Sequence, residues 1–555
     1  MDRKTIALVG ICLALLIFWG PITQYLGLAP KRTEAPIVTP APVDTTPAAI
    51  VDTVRAVPVV SRTPMAITAP VDTLTPEKRF TVVTPLYELT FSNYGGGLKK
   101  ILLRQYTYHG HGNVLLADSE DKVVPDFETA AGAFRAGRLP FACDQSDLQL
   151  AAGSAPRKIV FMYENGRGGK IIKSYTVNPD KYTIDFDLAV EGIESFGFER
   201  SYRLVWDITP PPTEKNLKDD YGYFKVVANT DKHIELADFK DGVMNEEITG
   251  ATGWAGLRTK YFAAVMIPRS RNADGFVARG RKQMEMTAGG SVETRTLSAG
   301  LEMPIPNYGA MGDSYTLYVG PIHYSMLKGL DLGLEELTSL GWVVIKPFSI
   351  AIIWLLPKIY TVIPNYGIVV LIFALLIKLI TYPLTRKQTI AMTKMKDLQP
   401  KMKALQERHK QDPARMNKEV MKLYKEAGAN PLSGCLPMLP QLPLFFALFS
   451  VFRTTIEFRG ATFVGWISDL STPDPYYILP VIMVIVMFVQ QRMTPTDPKQ
   501  KMMMYLFPLL FGWMSINFPA GLVLYWTGFS ILSYLETVMI RRTQQPAVTV
   551  VNESP

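Results

Sequence analysis

Tyr366-Gly-Ile-Val-Val-Leu-Ile-Phe-Ala-Leu-Leu-Ile-Lys378-Leu-Ile-Thr-Tyr-Pro-Leu-Thr385 is the stretch on which the fold class turns. It holds a single charge in twenty residues. At about 1.5 Å of rise per residue such a helix crosses a hydrocarbon core of about 30 Å. Four further apolar spans follow at about 434–452, 476–493, 502–517 and 518–540. An earlier one runs from about Thr5 to Ile22 behind Asp2-Arg3-Lys4. No small-x-small cleavage site follows it, and Ile11 before Cys12 is wrong for lipoprotein processing, so residues 1–28 read as an uncleaved signal anchor. Gly341–Leu356 is also greasy, but only eleven residues separate Lys346 from Lys358. That is too short to span, and it reads as an amphipathic helix in the interface, within a connecting region 323–363.

Outside these spans the texture changes. Residues 29–76 hold nine prolines and nine threonines without apolar periodicity, the composition of an extended tether, taken as 29–78. Residues 79–322 read as sheet. Tyr182, Ile184, Phe186, Leu188 and Val190 alternate with Thr183, Asp185, Asp187 and Ala189, the period-2 pattern of a half-buried strand. Tyr87, Leu89 and Phe91 lead through Gly95-Gly96-Gly97 into Leu98, Ile101 and Leu103, which predicts strand, tight turn, strand. The predicted fold is therefore a polytopic α-helical membrane protein, with six spans and a five-helix core at 364–542, carrying a large all-β sandwich outside the cytoplasm.

Composition excludes other classes. The chain has 555 residues, 48% hydrophobic, with a net charge of +8 and a mean hydropathy of +0.11. Three cysteines and five scattered histidines make neither a disulfide framework nor a zinc site, and no cofactor or metal is expected. No Walker loop, HExxH, GxSxG or strand-linked GxGxxG is present. The charge records topology. The loop 386–430 carries twelve Lys/Arg against five Asp/Glu, a net of +7. Residues 1–4, 491–501 and 541–555 contribute +1, +2 and +1, so everything else nets −3. With six spans all these basic segments fall on the cytoplasmic side, as do both termini, including the short tail 543–555. A seventh span at 341–356 would put the +7 loop outside.

Lys378 is the sharpest single feature. It lies roughly 12 Å from the cytoplasmic end of its span, where an ammonium is costly unless it meets water, a partner or headgroups. Snorkelling to the interface is one reading; a cation facing a wet cavity is the other, favoured because Tyr382 and Thr385 follow at four and seven residues on the same face. The last span adds Thr527, Ser530, Tyr534 and Thr537, with Trp526 beside them, and the third contains Gln441. Converging polar faces on three spans point to a hydrophilic groove. Glu536 fits a counter-charge and an interfacial carboxylate equally well. The span 502–517, 16 residues and about 24 Å long, would thin the bilayer locally.

The basic loop predicts a helical hairpin. Met392, Met395, Leu398, Met402 and Leu405 form one stripe; Asp412-Pro413 restarts the helix; Met416, Val420, Leu423 and Ala427 face back. Such a hairpin can touch anionic lipid or dock ribosomes, partner proteins or emerging chains. Fourteen of the 24 methionines lie in 391–540; thioethers suit an apolar surface that accepts many sequences and also serve as ordinary core filler. Prolines at 437, 440 and 443 place the start of the third span against protein or water. His109 and His111 lie in a glycine-flanked loop and read as solvent-exposed.

At this point the sequence resembles the bacterial YidC insertases of the YidC/Oxa/Alb superfamily. The carrying segments are Thr381-Tyr-Pro-Leu-Thr385, Lys394-Met-Lys-Asp-Leu-Gln-Pro400, Asn430-Pro-Leu-Ser-Gly-Cys-Leu-Pro-Met438, Asp474-Pro-Tyr-Tyr-Ile-Leu-Pro480 and Phe518-Pro-Ala-Gly-Leu-Val-Leu-Tyr-Trp526. Thr259-Lys-Tyr-Phe-Ala-Ala-Val-Met-Ile-Pro268 and Gly333-Leu-Glu-Glu-Leu337 add the outer region. The resemblance implies a five-helix core around a groove open to cytoplasm and lipid, with Lys378 as the groove cation where many relatives have Arg. It implies Leu442, Phe445 and Trp526 as client-contacting residues, Trp526 standing where a tyrosine is common. It implies an outer β-supersandwich related in fold to sugar mutarotases, which carries no sugar chemistry with it. The implied partners are nascent membrane proteins, the Sec translocon, membrane lipids and, through the hairpin 386–430, the ribosome, with no nucleic-acid role. The implied site is the inner membrane of a Gram-negative-type bacterium. The implied role is non-enzymatic, insertion and folding of membrane proteins. A transporter or channel with a ligand-capturing outer domain is the competing reading, weakened by the lack of an inverted repeat; a membrane-anchored sugar enzyme is a third.

Overall fold

The structure, a computed structural model, describes residues 76–544 apart from 109–111, 119–122, 131, 209, 231–232, 238, 288–289, 307–308, 410–411, 427–437 and 493–500. The signal anchor, most of the tether, the last residues of the tail, Cys12, Cys435, His109 and His111 lie outside the described residues. The chain divides into two compact units. One comprises residues 76–339 with Thr454–Glu457; the other comprises Leu340–Arg453 and the chain from Phe458 onward. The boundary thus falls at 339/340, later than the 322/323 expected from composition, because the short helices Tyr324–Gly329 (α2) and Leu334–Leu337, a 3-10 turn, bury Leu327, Leu334 and Leu337 in the β core.

The first unit is a β-sandwich; among its described residues the other α-helix is the short Leu217–Tyr221 (α1). The alternating stretch forms the strand Thr183–Glu191, with Ile184, Phe186, Leu188 and Val190 all inward. On its other face Ser314 Oγ donates to Asp187 at 2.7 Å and Thr316 Oγ1 donates to Asp185 at 3.2 Å. Those two residues belong to Ala310–Pro321, the antiparallel neighbour more than a hundred residues away. The glycine turn is also as expected. Tyr87–Ser92 and Gly97–Thr107 pair antiparallel, and Gly95 and Gly96 take φ of 76° and 53°. A Cβ on Gly96 would lie 2.7 Å from Phe141 Cγ, so glycine is required on two counts.

Three sheets build this sandwich. One has five strands, from Asn113–Ala117 to Leu148–Gln149; one has eight, from His233–Leu236 to Arg157–Glu164; one has six, from Val243–Thr252 to Gly132–Arg135. The eight-stranded sheet meets both others in one apolar core. Phe161 and Tyr175 pack on Phe91 of the five-stranded sheet. Tyr315 reaches Tyr202 of the six-stranded sheet, hydroxyl to hydroxyl at 2.5 Å.

The second unit is helical: Lys346–Tyr360 (α3), Tyr366–Asp397 (α4), Gln399–Arg408 (α5), Pro413–Glu426 (α6), Met438–Thr454 (α7), Ile478–Arg492 (α8), Lys501–Ser515 (α9) and Ala520–Gln544 (α10). Side-chain pairings fix their directions. Leu371 faces Gly528 and Lys378 faces Ser533, so α4 and α10 run parallel. Gln441 meets Tyr525 while Phe452 meets Gly521, so α7 runs antiparallel to α10. Val484 meets Gly512 and Phe488 meets Tyr505, so α8 and α9 are antiparallel.

The span expected at 366–385 is the apolar part of a longer helix: its apolar stretch is Tyr366–Arg386, and α4 continues without a break to Asp397, with Pro383 inside it. The basic residues from Arg386 onward change what surrounds the helix, not its backbone. The stripe from Met392 to Leu405 is consequently split at Leu398, since Pro400 has no N–H and takes the first turn of α5. The cap before α6 forms as expected, with Arg415 N donating to Asp412 Oδ1 at 3.0 Å.

Candidate functional site

The helices of the second unit are amphipathic in reverse. On α10, Thr527, Ser530, Ser533 and Glu536 recur every three residues and all are buried, while Ile531, Leu535 and Met539 recur every four and are exposed. On α4, Lys378 is buried at 7% exposure while Leu379 and Ile380 are 61% and 72% exposed. A helix in water buries the apolar face; these bury charge and present leucine and isoleucine outward. The solvent of that outer face is hydrocarbon.

Local signals set these helices in place. Asp474, buried, accepts from Trp466 Nε1 (3.0 Å), Tyr476 N (3.0 Å) and Leu479 N (2.7 Å), tying the loop to the start of α8. Pro519 precedes α10, and its first turn is held by Ala520 N donating to Thr472 O (2.7 Å) and Gly521 N donating to Leu470 O (2.9 Å). A Cβ on Gly521 would approach Phe452 Cδ1 to 3.0 Å, so glycine lets α7 and α10 close on each other.

Parallel packing of α4 on α10 brings Lys378 to Glu536. The Nζ ion-pairs with the Glu536 carboxylate, donates to Ser533 Oγ at 2.8 Å, and stands 5.1 Å from the Phe529 ring centroid. Ser533 donates its own proton to Phe529 O at 2.8 Å, which leaves its lone pair for the ammonium. Thr385, two turns beyond Lys378, donates to the second carboxylate oxygen, Glu536 Oε1, at 2.6 Å. Charge is thus matched by charge inside an apolar unit, and each charged group has a further neutral partner.

The remaining sequence candidates fall into four groups. Thr527 is buried and donates to Val523 O at 2.8 Å, satisfied within its own helix; Ser530 is buried one turn on. Gln441 Nε2 reaches Tyr525 OH at 3.4 Å, a long bond between α7 and α10. Tyr382 is 42% exposed and takes no part in the Lys378–Glu536 cluster, although it shares the helix. Of the apolar set, Phe445 and Trp526 meet edge to face at 5.5 Å and both contact Phe511, whereas Leu442 is exposed. The sequence reading missed Ser533, and left Glu536 between two roles. The signal available was their three-residue spacing on the buried face.

The buried charges of the β unit read differently. Asp313 accepts from Tyr202, Ser270 and Arg271 and is saturated. Asp220 is pushed up to about 7, chiefly by burial, with its Oδ2 held by Thr213 N at 2.6 Å. Asp313 holds the loop of Ser270 and Arg271 onto its strand, and Asp220 holds the loop at Thr213 onto α1. Among the described residues no cluster of His, Cys, Asp and Glu has metal-site geometry.

Comparison with known proteins gives the family. Residues 358–547 match the 60Kd inner membrane protein family, and residues 79–354 match the YidC periplasmic domain. The chain is 34% identical over 482 residues to the membrane protein insertase YidC of Syntrophus aciditrophicus (strain SB), covering 84% of this chain and 86% of that protein. It is 32% identical over 558 residues to that of Geobacter metallireducens, covering 98% and 99%. The chain belongs to the YidC family of membrane protein insertases. The periplasmic-domain match covers the β unit and runs on to residue 354 of the second unit, and the inner-membrane match begins at 358, so the β unit belongs to the family's periplasmic domain and most of the helical unit to its membrane part. Among solved structures, a YidC insertase crystal structure with its first transmembrane domain resolved aligns over 85% of this chain and 94% of that one, at 18% identity and a TM-score of 0.37.

Proposed function

We propose that this protein inserts membrane proteins into the bilayer and assists their folding, holding each client in a polar groove between α4, α7 and α10. The observation that carries the reading is the buried polar face of α10, with Lys378 set against it, inside helices whose outer surfaces are apolar. Such a face lowers the cost of holding a client's polar tail at membrane depth, while the client's apolar segment leaves sideways into lipid without ATP. Family membership supports the same reading.

In this proposal α4, α7, α8, α9 and α10 are the five core spans, and a sixth precedes the periplasmic unit. The directions that the pairings fix, α4 parallel to α10, α7 antiparallel to both and α8 antiparallel to α9, are compatible with that count. The shorter helices, α8 and α9 with 15 residues each, are about 22 Å long and fit a thinned bilayer. α3 lies in the interface: Trp354 and Phe348 are exposed, Ile352, Ile353 and Leu356 are buried, and Lys358 Nζ sits 3.5 Å from the Trp354 ring centroid. Leu442, Phe445 and Trp526 form the apolar client face. The basic hairpin of α5 and α6 faces the cytoplasm, where lipid headgroups, the ribosome and the Sec translocon are the proposed partners, in the inner membrane of a Gram-negative-type cell.

Reconstituted proteoliposomes test this. A single-span client with a short polar tail gains protease protection over protein-free liposomes. Lys378→Arg keeps that activity, since the charge remains; Lys378→Ala lowers it several-fold. Full activity of a folded alanine variant removes Lys378 from the mechanism.

A further inference from the structure

The groove cation is not vacant for a client. Lys378 already holds a carboxylate, and that carboxylate has its own second anchor in the Thr385 hydroxyl at 2.6 Å. Lys378 likewise has a second anchor in Ser533 at 2.8 Å. We propose that Glu536 is a resident counter-carboxylate that stands where a client carboxylate would bind, and so sets which polar tails the groove accepts. The inference rests on the insertase reading and adds to it a specificity-determining residue.

The argument is one of competition. An acidic tail reaches Lys378 by displacing Glu536, a carboxylate exchanged for a carboxylate, with little net gain in Coulomb energy. The leaving Glu536 keeps the Thr385 hydroxyl and is not stripped of every partner; the ammonium keeps Ser533 throughout. A neutral polar tail needs no exchange. The wild-type groove therefore discriminates weakly between acidic and neutral tails. A groove with the same cation and no resident carboxylate discriminates strongly, because the cation is then left buried without its counter-charge until an acidic tail supplies one. A pair whose role is only to hold α4 against α10 predicts no change in tail preference at all.

The experiment reads a ratio. One client carries a tail with two aspartates, and its twin carries asparagines at the same positions. Each is offered to proteoliposomes of the full chain, and protease-protected product is measured. In Glu536→Gln the acidic-to-neutral ratio rises about tenfold, the worth of one charge-assisted bond to a buried cation. Thr385→Val, which keeps both charges and removes the anchor of Glu536, raises the ratio by a smaller factor, about threefold. Adding Lys378→Met to Glu536→Gln abolishes the gain. An unchanged or lowered ratio in folded Glu536→Gln overturns the proposal. Where thermal unfolding in detergent shows that variant misfolded, the Thr385→Val ratio decides in the same way. Failure of the wild-type chain to insert even the neutral twin would instead count against the insertase reading, and is read separately.

Discussion

At the residue scale, Lys378 and Glu536 are the pair whose removal separates stability from function. Both side chains are under 10% exposed. Deleting one leaves the other as a buried, uncompensated charge at a cost of about 3–5 kcal/mol, whereas replacing both by apolar groups of similar volume is often neutral. Lys378→Met should therefore lower the unfolding midpoint in mixed micelles strongly, and Lys378→Met/Glu536→Met should recover most of the loss. The coupling across that cycle is expected to exceed about 2 kcal/mol. Additive single effects would mean that the carboxylate and the ammonium do not stabilise each other. The sequence made half of this pair visible. A lysine amid Leu375, Leu376, Ile377, Leu379 and Ile380 stands out in any hydropathy reading. Its partner lies 158 positions away in a stretch that also fits a plain helix end, and only the parallel packing of two distant helices selects it.

At the element scale, the helices approach each other where the sequence has glycine. A Cβ on Gly512 of α9 would lie 2.2 Å from Val484 Cγ2 of α8, a stiff β-branched side chain that cannot swing aside. Gly512→Ala should push these two helices apart and cost about 1–3 kcal/mol, as overpacking does. Val484→Ala in the same chain should restore the approach. The check is the unfolding midpoint of the three variants; destabilisation that Val484→Ala fails to relieve would place the strain elsewhere. Such close approaches were not legible in the sequence, because a glycine in an apolar helix carries no mark of its partner. Period-2 alternation was legible: Ile184, Phe186, Leu188 and Val190 point inward as their spacing requires. The allotment of strands to three sheets was not, since Thr183–Glu191 finds its neighbour in Ala310–Pro321 across most of the domain. The continuity of α4 from the span into the basic loop was not legible, for a third reason. In the proposed topology Arg386 marks where hydrocarbon gives way to water, and the helix backbone, satisfied within itself, is indifferent to that change.

At the scale of the whole molecule, the charge distribution and the helix directions make one joint statement. The basic segments sum to more than the total charge of +8, and all fall on one side only if α3 does not cross. α3 has 15 residues, about 22 Å, and keeps Trp354 exposed with Lys358 stacked on it, the arrangement of an element lying along a surface. Its alternative, a short crossing, would invert every later span and place the +7 loop outside. The two arrangements are separable with single cysteines in a chain whose Cys12, Cys143 and Cys435 are serine. Lys240→Cys reports on the β unit and Lys422→Cys on α6, both at well-exposed side chains. A membrane-impermeant maleimide applied to spheroplasts should label position 240 and spare position 422, and inverted vesicles should reverse the pattern. Labelling of both positions from the same side would show that α3 crosses after all. Both spans of the Lys378–Glu536 pair, parallel to each other, would then be inverted together, and a tail entering from the cytoplasm would meet the Tyr366 end of α4 first.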